Sequence, residues 1–186
     1  MIKGLEILAL PVPEDDRGAL IKIIQSYQLP GGSSLVRMPP EAYATQCQPG
    51  KFGEVYVVHD PAPDTVRAFH KHNQLWDYFC IIAGSAKFAF VDDRECGDHV
   101  DGHGVAREFY FPKPGDTQIV VTSGRRPKVI VVPPGVFHGW MSLEANTMMV
   151  SVGSELYDPR DPDEVRVPAD EFDDLFGDCP WARTRR

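Results

Sequence analysis

No stretch of this 186-residue chain approaches the roughly 18 consecutive apolar residues that a membrane-spanning helix needs. The first residues, Met1-Ile2-Lys3-Gly4-Leu5-Glu6, carry an early glutamate and no small-residue cleavage site after their brief apolar run, so a soluble, cytoplasmic protein is expected. A basic surplus is missing as well. With 19 Lys and Arg against 27 Asp and Glu, the net charge of −8 speaks against nucleic acid or an anionic membrane as a broad partner, because phosphate-rich surfaces demand a basic face. A small anion can still bind in a locally basic pocket. The four cysteines, Cys47, Cys80, Cys96 and Cys179, form no Cys-x-x-Cys pair, which fits a reducing compartment. Cys80 lies in an apolar run, where it reads as a small buried hydrophobe. Internal repeats and low-complexity tracts are absent too.

What the chain holds instead is a series of short apolar runs rich in Val, Ile, Phe and Tyr, divided by Pro, Gly and Asp clusters. The expected strands are Ala19 to Ile24, Glu54 to His59, Thr65 to His70, Asp77 to Ile82, Ser85 to Val91, Ala106 to Phe111, Thr117 to Val121, Lys128 to Val132, Val136 to Ser142 and Thr147 to Gly153. No long segment of helical period separates them, which favours an antiparallel sandwich or barrel over a βαβ fold. The 17 prolines agree, since proline sits easily at strand ends and turns. Length and a 42% hydrophobic composition predict one domain over residues 1–186, large enough to bury a core without staples.

Helix is expected only near the end. Asp161 before Pro162 reads as an N-cap with proline at the first helical position, although Val165 to Val167 soon turns extended. From Ala169 to Phe176, Phe172, Leu175 and Phe176 share one face, and Gly177 ends the segment. The long irregular stretch from Asp92 to Val105 contains Cys96, His99 and His103. It reads as a solvated loop, with a flap over the barrel mouth as the alternative.

Two segments carry the chemistry. In His70-Lys71-His72, side chains two apart in a strand point to one face, so the imidazoles project together and Lys71 points away. Asp77 and Gly84 follow, and further on comes Pro133-Pro134-Gly135-Val136-Phe137-His138. The first segment matches the first cupin motif in spacing, with Asp77 where glutamate is usual. The second resembles the second motif, with Ser142 at the usual asparagine. The chain therefore resembles a cupin, an all-β jelly-roll barrel, here with short C-terminal helical segments.

From about Asp15 to Phe172 it is also similar to the dTDP-4-dehydrorhamnose 3,5-epimerase family. The residues carrying this likeness are Asp16-Arg17-Gly18, Arg67-Ala68-Phe69-His70, Asp92-Asp93-Arg94, Pro134 to Trp140, Tyr157-Asp158-Pro159 and Val167-Pro168-Ala169-Asp170. The resemblance implies that His70 is the catalytic base and Asp170 the aspartate that orients it. It implies that Arg17 and Arg67 meet the phosphates of a nucleotide-linked sugar, with structural ion pairs to the surplus acids as the alternative for each, that His138 lines the sugar pocket, and that the protein pairs as a homodimer. Lys71 is read as a further phosphate contact and Trp140 as core or wall of the substrate pocket. Such an enzyme removes the proton beside a keto group and returns one from the other face, work suited to a histidine that titrates near neutrality.

The chain departs from the family at the positions of its enolate-stabilising lysine and reprotonating tyrosine, which are Asp77 and Ser151 here. His70, His72, Asp77 and His138 are accordingly expected to bind a divalent metal, Fe, Mn, Ni, Co or Zn, with no organic cofactor. A metal-bound His70 is no longer a free base, so the two mechanisms compete. Two alternatives stay open: a metal-dependent oxygenase or isomerase acting on a small polar metabolite, and a binding cupin without turnover.

Overall fold

A computed structural model describes residues 2, 5–10, 12, 14–15, 18–19, 54–94, 116–156, 158–160 and 162–183. The described strands are β1 (Glu6–Ala9), β2 (Glu14–Asp15), β3 (Gly18–Ala19), β4 (Glu54–Asp60), β5 (Val66–Lys71), β6 (Asp77–Ala83), β7 (Ser85–Asp92), β8 (Thr117–Ser123), β9 (Lys128–Val132), β10 (Val136–Ser142), β11 (Thr147–Gly153) and β12 (Val165–Arg166), followed by the helix α1 (Asp173–Phe176). They form two five-stranded antiparallel sheets, ordered β1-β9-β6-β11-β4 and β12-β5-β10-β7-β8, and a small β2-β3 pair. From β4 onward the chain crosses between the sheets at nearly every step. That is the jelly-roll path expected of a cupin.

Alternation along the strands makes the core. Phe79 and Ile81 of β6 face Phe88 and Phe90 of β7, Val136 and Trp140 of β10, and Ile130 and Val132 of β9 between the sheets. Each fully buried Phe contributes about 1.5–3 kcal/mol relative to an exposed one. The intervening residues build outer layers. Tyr78, Cys80, Val129, Val131 and Val152 cluster behind the first sheet. Behind the second, Phe69, Ala89, Val91, Phe137 and Met141 are covered by Trp181, Val167, Phe172, Leu175 and Phe176 of the C-terminal segment. The Lys87 ammonium donates to the Ala182 carbonyl, tying that segment to β7.

Two glycines set close approaches. Gly84, at φ 69, joins β6 to β7, and a Cβ there would lie 2.4 Å from Thr147 Oγ1. A Cβ on Gly139 would lie 2.3 Å from the Cβ of Ala68 on the neighbouring β5.

The expected boundaries differ from the described ones by a residue or two, β1 and β2 are additions, and β12 falls where Val165 to Val167 was expected to be extended. No helix starts at Pro162. Glu164 N–H instead bonds the Pro162 carbonyl at 2.8 Å and the chain runs into β12, which pairs with β5, because the ladder satisfies more backbone there than one helical turn could. The helix expected from Ala169 contracts to α1, closed by Gly177 at φ 75 with its N–H on Asp174 O. Phe172, Leu175 and Phe176 do share the buried side. Of Ala19 to Ile24 only Ala19 is described. Asp161, Tyr157, Ala106 to Phe111, Cys47 and the loop with Cys96, His99 and His103 lie outside the described residues. Among those described, no helix is long and apolar enough to cross a membrane.

Candidate active site

Both sheets contribute to one polar cluster inside the barrel. On β5 and β10, His70 and His138 are direct cross-strand partners. Asp77 enters from β6 in the opposite sheet, and His72 stands just beyond the end of β5. One ligand atom from each of these four residues can be chosen so that all lie within 4.8 Å of one another. The His70 and His138 ring centroids are 4.2 Å apart, and His70 and His72 are 5.4 Å apart. Phe79, buried in the core, lies beside His138, centroid to centroid 5.4 Å.

Hydrogen bonds fix which way two rings face. His138 Nδ1 lies 2.9 Å from the Val136 carbonyl, and His72 Nδ1 meets the Asp163 carbonyl. A carbonyl only accepts, so each Nδ1 carries a hydrogen, and in the neutral ring each Nε2 presents a lone pair. Both lone pairs aim at one carboxylate oxygen, Asp77 Oδ2, at 3.4 Å from His72 and 3.3 Å from His138. Among the described residues, Asp77 Oδ2 and His138 Nε2 are buried without a hydrogen-bond partner. Leaving such groups unpaired costs about 1–3 kcal/mol each. Three lone pairs converging on one point make a donor set that could hold a cation. His70 belongs to the same set: burial first, then His138, His72 and Arg166, push its pKa down to about 2, so its imidazole is neutral. No side-chain hydrogen bond of His70 is present among the described residues.

The two sequence motifs touch through their backbones. Gly135, at φ 78 in the Pro133-Pro134-Gly135 turn, donates its N–H to the His72 carbonyl at 2.7 Å, and its own carbonyl accepts from Asp93 N–H at 3.0 Å.

The other expected site residues are distributed differently. Arg17 lies outside the described residues. Arg67 faces inward opposite Trp140, because β5 bulges by one residue between that pair and the His138–His70 pair. Its half-exposed guanidinium is held by Asp60 Oδ1 at 2.8 and 3.1 Å, the structural ion pair expected as the alternative to its phosphate role. Lys71 occupies the outer face, paired with Asp93 and 4.8 Å above the Phe137 ring, which removes it from the pocket. Trp140 is buried in the core, 6.3 Å from Phe88, rather than open to a sugar. Asp170 is exposed, and no hydrogen bond or ion pair joins it to His70, so the orienting role expected of it has no contact to act through.

Two residues escaped the sequence reading. Asp163 receives His72, as above, and Tyr56 on β4 is the cross-strand partner of Ser151 on β11. Although Tyr56 is 43% exposed, its phenol pKa is raised, first by lost hydration and then by Asp77, Glu54 and Glu164. The buried Ser151 hydroxyl is near enough to oppose this shift, without reaching hydrogen-bonding geometry. An even offset from Val58, which packs on the core, was the only sequence signal that Tyr56 faces inward.

No protein-family model matches the chain. It is 26% identical over 176 residues to "Probable low-salt glycan biosynthesis epimerase Agl13" of Haloferax volcanii, covering 91% of this chain and 89% of that protein. It is 23% identical over 172 residues to the spore coat polysaccharide biosynthesis protein SpsL of Bacillus subtilis, covering 92% of each. Among solved structures, ChmJ, a 3'-monoepimerase from Streptomyces bikiniensis in complex with dTDP-quinovose, superposes with a TM-score of 0.65 at 17% identity, over 94% of this chain and 74% of that one. Likeness at this identity establishes a shared jelly-roll fold.

Proposed function

We propose that this jelly roll, which resembles those of dTDP-sugar epimerases and isomerases, is an enzyme of that type, acting on a keto-sugar carried by a nucleoside diphosphate, with dTDP the first choice. Support comes from the full-length similarity to a glycan-biosynthesis epimerase and from the shared barrel. The observation that carries the reading is the cluster of His70, His72, Asp77 and His138 inside that barrel. Its place is where a sugar reaching in from the mouth would meet ionisable groups.

Moving a proton beside a carbonyl needs a base, a sink for enolate charge and a donor. A positioned base or acid supplies roughly 10²–10⁴-fold, about 3–5 kcal/mol, of the roughly 8–23 kcal/mol by which enzymes lower barriers. Charge stabilisation must supply much of the rest. The donor set of three imidazoles and one carboxylate fits a divalent ion of the Fe, Mn, Ni, Co or Zn class, and the orphaned Asp77 Oδ2 and His138 Nε2 are the atoms such an ion would satisfy. When bound, the ion would polarise the sugar carbonyl and spread the enolate charge. Around it, the Val136 and Asp163 carbonyls hold the two imidazoles with Nε2 inward, and Phe79 lies beside His138. His70, neutral down to about pH 2, suits a ligand better than a base. The Tyr56 phenol, cross-strand from Ser151 and near enough to Asp77 to feel its charge, is the described group proposed to give a proton to the sugar. Arg17 remains the residue proposed for the diphosphate.

The enzyme would work in the cytoplasm as a pair of copies. Unpaired Cys80 and Cys179 support the first, and exposed Val55 and Val57 on the β4 edge support the second. The same cluster also favours a second reading, a metal-dependent cupin enzyme on a small polar metabolite. Both are tested by purifying the protein without a metal-affinity column, measuring its metals by inductively coupled plasma mass spectrometry, and incubating it with a dTDP-linked 4-keto sugar in D2O. Deuterium uptake beside the carbonyl is the expected result. A metal-loaded protein that exchanges no deuterium would sink the epimerase reading in favour of the second.

A further inference from the structure

We infer that Asp163 is the positioning residue for His72, a latch from the C-terminal segment that completes the cluster. His138 sits mid-strand in β10, and its ring is held by the Val136 carbonyl of its own strand. His72 has no such support, because β5 ends at Lys71 and the chain then turns through residues 73–76 to reach Asp77. Asp163 makes up the difference twice. Its backbone carbonyl accepts from His72 Nδ1. Its carboxylate accepts three successive backbone N–H groups of the turn, Asn73 at 2.9 Å on Oδ1, and Gln74 at 2.7 Å and Leu75 at 2.9 Å on Oδ2. The next amide, Trp76, donates to Ser154 Oγ at 2.9 Å, so every N–H from Asn73 to Trp76 is taken by a side chain from a remote part of the chain.

The two halves of this arrangement depend on each other. Three N–H groups on one carboxylate are charge-assisted bonds that hold residue 163 against the turn, and residue 163 held there keeps its carbonyl on the His72 ring. Without the carboxylate, the carbonyl has little reason to stay, the ring is free to change tautomer, and Nε2 no longer faces Asp77. The effect is specific to one of the two rings that meet Asp77.

In its metal clause this inference rests on the reading above; in its ring clause it does not. The test uses the full chain, with Asp163→Asn and Asp163→Ala beside wild type. Nitrogen-15 NMR of the histidine rings reports the tautomers, hydrogen exchange reports Asn73 to Leu75, and titration of chelator-stripped protein with Co(II), followed by visible absorption, reports the cluster. In Asp163→Ala the His72 ring should lose its fixed Nδ1–H form while His138 keeps it. The three amides should exchange about tenfold faster or more, and Co(II) affinity should fall roughly 10- to 100-fold. Asp163→Asn, which keeps one acceptor oxygen, should fall between. An undisturbed His72, or equal disturbance of His72 and His138, overturns the latch. If wild type takes up no Co(II), the metal reading falls by itself, and the ring comparison still decides what Asp163 does.

Discussion

The two faces of the sheet that contains β5 and β10 are made from adjacent residues and do opposite work. His70 and His138 turn inward to the polar cluster, while Phe69 and Phe137, their neighbours in sequence, turn outward under Phe172 and Trp181. The outer face stores apolar packing. The inner face, at its polar end, stores unsatisfied polar atoms. Stability and chemistry are thereby separated by a single peptide unit, and each is open to change without the other.

The largest expected effect tests the outer face. Phe69→Ala empties a site that is 1% exposed and strips ring contacts at 5.2 Å from both Phe172 and Trp181, so urea unfolding should show a loss of about 3–5 kcal/mol. The histidine tautomers should survive wherever the variant is folded; their joint collapse would erase the distinction between faces. On the inner side, Tyr56→Phe keeps the ring and removes the proposed donor. Product formation from a dTDP-linked keto sugar should drop roughly 10²–10⁴-fold with little change in melting temperature. Normal turnover in that variant would remove Tyr56 from the mechanism.

A smaller and more pointed effect comes from Asp77→Asn. An amide N–H can donate to a histidine Nε2 where the carboxylate could only face it, so metal-free protein should gain about 1 kcal/mol in a denaturant titration while metal uptake is abolished. A destabilised metal-free variant would mean that the converging lone pairs carry no cost. Acid gives a related trend. In the unfolded chain His70 binds a proton near pH 6.5, but in the fold it resists protonation down to about 2, so the unfolded state binds more protons in that window. Chelator-stripped protein should therefore lose stability as the pH falls below about 6.5. His70→Asn should flatten that slope, as thermal melts across the range would reveal.

Much of this division was legible in the sequence. Alternating apolar residues placed the strands because the pleat has a strict period of two, and the His-x-His pair with a later Asp and His marked the cluster because few other patterns bring those types together. Arg67 was harder. Its odd offset from His70 puts it on the opposite face of a regular strand, yet the bulge in β5 turns both inward, and no local signal announces a bulge. Lys71, read as pointing away, does so, and that direction is at odds with the phosphate contact also expected of it. Of the acids near the C-terminus, Asp170 drew notice through its motif, whereas Asp163 bonds the turn after His72. Their difference lies in tertiary placement, with partners some 88 to 91 positions away.

That separation also orders events in time. A chain growing from its N-terminus makes His70, His72 and Asp77 long before residue 163, and the partner of the His72 ring lies 91 positions downstream. While the chain is still being synthesised, the barrel strands can begin to pair, but on the inference above His72 lacks its support until residue 163 has emerged. A product released early, ending before residue 163, would retain all four histidine and aspartate side chains and still lack the carbonyl that fixes the His72 ring. Residue 163 thus reports whether the barrel strands before it have been made, and a fixed His72 ring would mark a chain grown at least that far.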